Sequence, residues 1–180
     1  MDLVTRLLAI LRRMLAPLAG VWLMMAGPAH AAEPLEYAVK AAYLAKFPAY
    51  VEWPSEAFAT PTSPVVVCVV GDDPFGPLLD EALATQQVQG RPMVARRMKA
   101  VNRDSGCHIV FFGGNARDEG LRSALVVTDS PSGGGVINFV LRDKRVRFTV
   151  DDEAAAQNGL AISSKLLSVA LSVKPRGQRG

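Results

Sequence analysis

The sequence is poor in the residues from which catalytic and metal centres are usually built. Its 180 residues include two cysteines and two histidines, and the Gly-x-Ser-x-Gly, P-loop and His-Glu-x-x-His motifs are all missing. Cys107 and His108 are adjacent, but consecutive residues of a strand point to opposite faces of the sheet. They therefore cannot form a catalytic dyad, and we expect no catalytic residue, no metal and no cofactor.

A long apolar run is also missing. Residues 14–26 are mostly apolar but too few for a membrane-spanning helix, which needs about 20. Three arginines precede them, and Ala29-His30-Ala31 follows with the small-x-small pattern of a cleavage site. We therefore interpret residues 1–31 as a signal peptide that is cleaved near Ala31 and directs the protein to the periplasm. An uncleaved membrane anchor is the alternative.

The mature chain lacks an excess of either charge. Removal of residues 1–31 leaves 17 basic and 16 acidic residues, a net charge of +1, which gives no electrostatic support for a nucleic-acid partner. Acidic residues cluster at Asp72-Asp73 and at residues 151–153. Both clusters lie where helix caps are expected, so capping explains them without a metal ion.

Both cysteines, Cys68 and Cys107, remain in the mature chain. An even number of cysteines in an exported protein favours one disulfide. That bond would close a loop of about 40 residues and stabilise the fold by about 4 kcal/mol in the chain-entropy model. Two buried free thiols are the alternative.

Short apolar runs separated by turns predict an α/β fold. Residues 65–70 form a continuous apolar run, which is typical of a strand buried on both faces. Asp73-Pro74 then predicts a helix through Thr85. Other elements are predicted as a helix from Pro34 to Phe47, strands at residues 91–98, 107–112 and 124–128, and a helix near Arg117 to Arg122. The order indicates a single three-layer α/β/α domain over residues 32–173 with a mixed sheet, followed by a flexible basic tail over residues 174–180.

The C-terminal third predicts a β-hairpin and two helices. Residues 136–141 and the alternating segment 145–150 flank a polar turn, and they place their apolar side chains on one face: Ile137, Phe139, Leu141, Val146, Phe148 and Val150. Asp151 or Asp152 caps a short helix that ends at Asn158-Gly159. The last helix is predicted to use Leu166, Leu167, Ala170 and Val173 as its buried face, and to stop at Pro175.

Several aromatic and basic residues lie outside this core pattern. Aromatic and arginine side chains are enriched at protein interfaces. The residues that we predict for partner binding are Tyr50, Trp53, Arg142, Lys144 and Arg145. A solvated outer face is the alternative for the charged hairpin turn.

Four segments together resemble the YfiR family. They are KAAYLAKFPAYVEWP at residues 40–54, VVVCVVGDDPFG at residues 65–76, CHIVFF at residues 107–112, and the segment from Gly133 to Ala170. They occur in the same order as in the family and cover nearly all of the mature chain. The first and last of them are the most distinctive.

The resemblance implies a periplasmic regulator. Its best-understood members repress a membrane-bound diguanylate cyclase by binding the periplasmic region of that enzyme, which lowers cyclic di-GMP and biofilm formation. Cys68 and Cys107 match the family's disulfide in the α/β core. Some members carry a second cysteine pair near the C-terminal hairpin, which this chain lacks, so redox control here would depend on one bond.

Two other functions stay open at the level of sequence. One is a small-molecule-binding protein that uses a groove near Gly71 and Gly113, where the carboxyl ends of the predicted strands meet. The other is an enzyme of unrecorded type, which would need a buried polar cluster. A homodimer is also left open by the sequence.

Overall fold

An eight-stranded mixed β-sheet forms the centre of the structure, a computed structural model that describes residues 32–113 and 121–177. Neighbouring strands are parallel except at two antiparallel pairs, β7–β8 and β3–β4. In spatial order the strands are β10 (Ser172–Lys174), β8 (Arg145–Asp151), β7 (Ile137–Arg142), β6 (Leu125–Thr128), β5 (Ile109–Phe112), β2 (Val65–Val70), β4 (Arg91–Met98) and β3 (Gln87–Val88). A separate antiparallel pair joins β1 (Val51–Glu52) to β9 (Ala161–Ile162).

The centre of the sheet is covered on both faces. Every residue of β2 and β5 is buried, as expected for continuous apolar strands in a parallel sheet. The described residues from Glu33 onward belong to one compact unit. These features confirm the predicted α/β class and the mixed sheet.

Four α-helices occur in the described residues: α1 (Ala32–Lys46), α2 (Pro77–Ala84), α3 (Asp152–Gln157) and α4 (Ser164–Val169). A 3₁₀ turn at Phe47–Tyr50 follows α1 and buries Phe47. The Phe47 ring lies 5.9 Å from the ring of Phe139 and 5.2 Å from that of Phe148. This aromatic cluster packs the chain that follows α1 against β7 and β8.

The predicted hairpin is confirmed. Strands β7 and β8 pair from Ile137↔Val150 to Arg142↔Arg145, which leaves a two-residue turn. Its residues Asp143 and Lys144 have φ of 51° and 58°, the left-handed conformation that matches the natural twist of two strands in a tight hairpin.

Helix α2 begins three residues later than predicted. Its first residue is Pro77, not Pro74. Asp73 does not cap the helix, because its Oδ1 accepts hydrogen bonds from the backbone N–H groups of Phe75 and Gly76. Both Asp73-Pro74 and Gly76-Pro77 are sequences that can begin a helix. The Asp73 carboxylate forms its hydrogen bonds within a local turn, and the helix begins after that turn.

The end of the chain also differs from the prediction. Helix α4 stops at Val169, and Val173 lies in β10, paired in parallel with Val150. Lys174, which we predicted to be part of a flexible tail, is in the same strand, and Arg176 forms an ion pair with Asp152 at 2.9 Å. The apolar spacing from Leu166 to Val173 therefore spans two elements.

Some predictions lie outside the described residues. They are the signal peptide at residues 1–31 and most of the helix near Arg117 to Arg122, of which Leu121 and Arg122 are described and are not helical. Within residues 32–113 and 121–177, no helix is long and apolar enough to cross a bilayer.

Candidate partner-binding surfaces

The β7–β8 hairpin extends beyond the rest of the sheet. Strand β7 pairs with β6 only at Val127↔Ile137 and Thr128↔Asn138, and β10 pairs with β8 only at residues 149–151. Residues 139–148 therefore form a two-stranded ribbon without a further strand on either side among the described residues. We call this segment the hairpin arm.

The arm carries cations that the described part of the protein does not neutralise. Arg142, Lys144, Arg145 and Arg147 are exposed, and none of them forms an ion pair with another described residue. Arg142 and Arg145 are also direct cross-strand partners. Like charges in this arrangement destabilise a sheet, so fold stability does not explain them.

The end of the arm also exposes an apolar side chain. Leu141, which we predicted on the inward face, is 59% exposed. Its cross-strand partner Val146 is half-buried. The inward face of the ribbon is therefore covered at Phe139 and Phe148 but uncovered near the turn.

Tyr50 and Trp53, the predicted aromatic contacts, differ in exposure. Tyr50 is exposed at the end of the 3₁₀ turn, and its carbonyl accepts a hydrogen bond from Ser163 N–H at 2.9 Å. Trp53 is half-buried beside Phe58 and His108, and its Nε1 is buried with no hydrogen-bond partner among the described residues. Tyr50 is therefore available for contact with a partner. Trp53 mainly packs against the neighbouring rings of Phe58 and His108.

Two exposed apolar residues that the sequence did not reveal lie at the end of α4 and just after it. Val169 is 57% exposed at the end of α4, which packs against the 3₁₀ turn, and Leu171 is 43% exposed. We call Tyr50, Val169 and Leu171 the apolar patch. Neither Val169 nor Leu171 belongs to the buried face that was predicted for the last helix, but nothing in the sequence was a reason to assign them to a contact surface.

The predicted partner-binding residues thus fall on two surfaces. Trp53 lies beside His108, which directly precedes β5, whereas the hairpin turn is five residues beyond the level of Thr128. The separation along the strands is about nine residues, or roughly 30 Å. Trp53 is therefore far from the hairpin turn, whereas Leu171 lies at the base of the arm, where its backbone N–H donates to the Phe148 carbonyl at 2.8 Å.

The structure joins Cys68 to Cys107 in a disulfide, the pairing predicted from the sequence. Their Cα atoms are 5.8 Å apart, within the range of ordinary disulfides. Cys68 is fully buried in β2, and the Cys107 sulfur contacts the Met98 sulfur at 3.7 Å. The bond ties the segment before β5 to the middle of the sheet.

His108 forms structural contacts. Its Nδ1 accepts a hydrogen bond from Val66 N–H at 3.1 Å, so the proton is on Nε2, which donates to the Ala57 carbonyl at 3.0 Å. The ring stacks on Phe58 with centroids 4.3 Å apart. Burial lowers the pKa of His108, and the hydrogen bond to Ala57 only partly opposes that shift.

A buried ionic cluster links α1 to the end of β6; its Glu36–Lys40 pair has the i, i+4 spacing of a helix, but no local pattern in the sequence indicates Asp129. Lys40 is 4% exposed and contacts Asp129 at 2.7 Å and Glu36 at 2.5 Å, while the Tyr37 hydroxyl donates to Asp129 at 3.2 Å. Burial alone would lower the pKa of Lys40, but its hydrogen bonds to the two carboxylates outweigh burial and raise it. The cluster holds the helix on the sheet.

The proposed ligand groove near Gly71 and Gly113 is narrow in its described part. Gly113 N–H donates to the Val70 carbonyl at 2.9 Å. A Cβ atom on Gly113 would overlap the Asp72 carbonyl oxygen. The two loops therefore pack on each other at this point. The described residues also contain no group of three or more His, Cys, Asp or Glu side chains that could hold a metal ion.

Comparison with known families identifies the family of the chain. A model of the YfiR/HmsC-like family matches residues 37–171, which is 135 of the 180 residues. The chain belongs to the YfiR/HmsC-like family. No curated protein sequence matches it. The YfiR/HmsC-like family is one of periplasmic regulators rather than known enzymes, and the matched region contains the disulfide, the hairpin arm and the apolar patch.

Proposed function

We propose that this YfiR/HmsC-like protein is exported to the periplasm and represses a membrane-bound diguanylate cyclase by binding the periplasmic region of that enzyme. Repression lowers cyclic di-GMP and, with it, biofilm formation. The observation that carries the proposal is the family match over residues 37–171. The scarcity of catalytic residue types in the sequence agrees with a regulatory role.

The mechanism is a shift between states of the cyclase. A periplasmic protein has no access to a product made in the cytoplasm, so it acts only by binding one state of its membrane partner better than the other. Each 1.4 kcal/mol of differential affinity changes the ratio of the two states about tenfold. Contacts that distinguish the two states are therefore the ones that regulate.

The apolar patch supports a protein contact. Tyrosine is enriched at the centres of interfaces because its ring supplies a large contact area at low entropic cost. Val169, at the end of the helix that packs against the 3₁₀ turn of Tyr50, and Leu171 would add exposed apolar area. We therefore propose the apolar patch as the main contact with the cyclase.

Binding of the two purified proteins tests this proposal. The exported chain and the periplasmic region of a diguanylate cyclase from the same organism are mixed in a calorimeter. Tyr50→Ala should weaken the complex by about tenfold or more. Val94→Ala, at another exposed apolar residue in β4 that is 41% exposed, is the matched control and should leave the affinity unchanged. Equal losses in both variants would contradict the assignment of the patch.

A further inference from the structure

We propose that the hairpin arm docks on an anionic lipid surface, with Leu141 entering the interfacial layer and the cations of the arm contacting lipid phosphates. The inference rests on the proposed function in one respect, which is that the protein works beside a membrane. It assigns the arm to lipid and leaves the apolar patch to the protein partner.

Positive charge is concentrated on the arm. Residues 139–148 include four basic residues and one acidic residue, Asp143, a net charge of +3. Elsewhere the protein pairs several of its cations closely with carboxylates: Lys40, Arg97, Lys174 and Arg176 all form ion pairs. The arm is thus a local concentration of unneutralised positive charge, which anionic lipid headgroups attract.

The end of the arm presents apolar and basic side chains together. Side chains alternate along a strand, so Leu141 and Val146 share one face of the ribbon while Arg142 and Arg145 lie on the other. Leucine enters the boundary between headgroups and acyl chains favourably, and long basic side chains extend back to the phosphates. A narrow ribbon that presents both groups at its turn has the chemistry of a membrane-docking element.

Edge protection and protein docking each fit the arm less well. Basic residues protect exposed strand edges from pairing with other chains, but that purpose gives no reason to expose Leu141. A stable protein interface needs about 800 Å² on each partner, and the outer part of the arm, residues 141–146, is a single two-stranded tip. Lipid docking needs only a few residues.

Vesicle binding tests the proposal. The protein is expressed from the full chain, purified after export, and sedimented with phosphatidylglycerol-containing vesicles or with pure phosphatidylcholine vesicles. We expect binding to the anionic vesicles alone. The triple variant Arg142→Gln/Lys144→Gln/Arg145→Gln should lower the partition coefficient roughly 100-fold, because each cation at an anionic surface contributes about fivefold.

A control variant that loses the same charge elsewhere distinguishes an effect of the arm from an effect of the protein's net charge. Lys46→Gln/Lys99→Gln/Lys165→Gln removes three exposed cations elsewhere and should change vesicle binding by less than about threefold. Leu141→Ser should weaken binding that persists at about 0.5 M salt, where the charges are screened.

Absence of binding to anionic vesicles, or equal losses in the two triple variants, would overturn the proposal. The proposal would also be overturned by a second pair of results: no vesicle binding, together with an arm variant that loses affinity for the purified cyclase region in the absence of lipid. The arm would then contact protein. The vesicles contain no cyclase, so this test fails or succeeds independently of the proposed function.

Discussion

Loss of the Cys68–Cys107 bond is the perturbation whose effect on stability follows most simply from the structure. The bond links residues that are 39 positions apart. In the chain-entropy model, opening a loop of this length restores entropy to the unfolded chain that corresponds to about 4 kcal/mol at 25 °C. Typical domains are stable by only about 5–15 kcal/mol, so the reduced protein should remain folded but with a small margin.

Urea unfolding measures this loss. The Cys68→Ala/Cys107→Ala variant should lose about 4 kcal/mol in the free energy of unfolding, which shifts the midpoint by about 2 M if the slope is about 2 kcal/mol per molar. Dithiothreitol should lower the urea midpoint of the wild type by a similar amount and leave the midpoint of the variant unchanged. A difference below about 1 kcal/mol between oxidised and reduced wild type would contradict the entropic origin of the effect, because the loop would then already be constrained in the unfolded chain.

Three further predictions concern the core and the ionic cluster. The wild type should lose stability as the pH falls below about 6.5, because the unfolded chain takes up a proton that buried His108 does not. His108→Gln should flatten that part of a urea-unfolding pH profile. Lys40→Met should cost about 3 kcal/mol by chemical denaturation, because Asp129 loses its buried partner. Gly113→Ala should lower the free energy of unfolding by at least about 1–3 kcal/mol, because the added Cβ overlaps the Asp72 carbonyl oxygen. If the Lys40→Met or the Gly113→Ala variant had the melting temperature of the wild type, the prediction for that variant would be contradicted.

The elements that the sequence predicted well are those whose signal is local. The run at residues 65–70 is apolar at every position, and the structure buries all six residues in β2. The hairpin was predicted because an apolar run at residues 136–141 and a strictly alternating segment at residues 145–150 flank a short polar turn, and the register from Ile137↔Val150 to Arg142↔Arg145 follows from a two-residue turn.

The errors have a common physical cause, which is that long-range contacts decided the outcome. Val173 fits a helical face by spacing, but pairing with Val150 makes it part of a strand. Leu141 follows the inward alternation of β7, but β7 extends past its neighbour and leaves this position uncovered. Neither the partner strand nor its end is visible in a local pattern.

The candidate surfaces were predictable only in part. The residue types of Trp53 and the hairpin cations suggested interfaces, but their distance from each other could be judged only from the sheet register. The sequence analysis assigned no role to Lys40, and the burial of its side chain depends on Asp129, which is 89 residues away. Charges that become buried through a distant partner leave no trace in the local sequence.

Cellular cyclic di-GMP reports on repression of the cyclase itself. The gene is deleted and then restored as the full chain or as the chain without residues 1–31. We predict that deletion raises cyclic di-GMP, that the full chain restores the original level, and that the chain without residues 1–31 does not, because it stays in the cytoplasm. A level that deletion leaves unchanged, or full rescue without residues 1–31, would contradict repression from the periplasm.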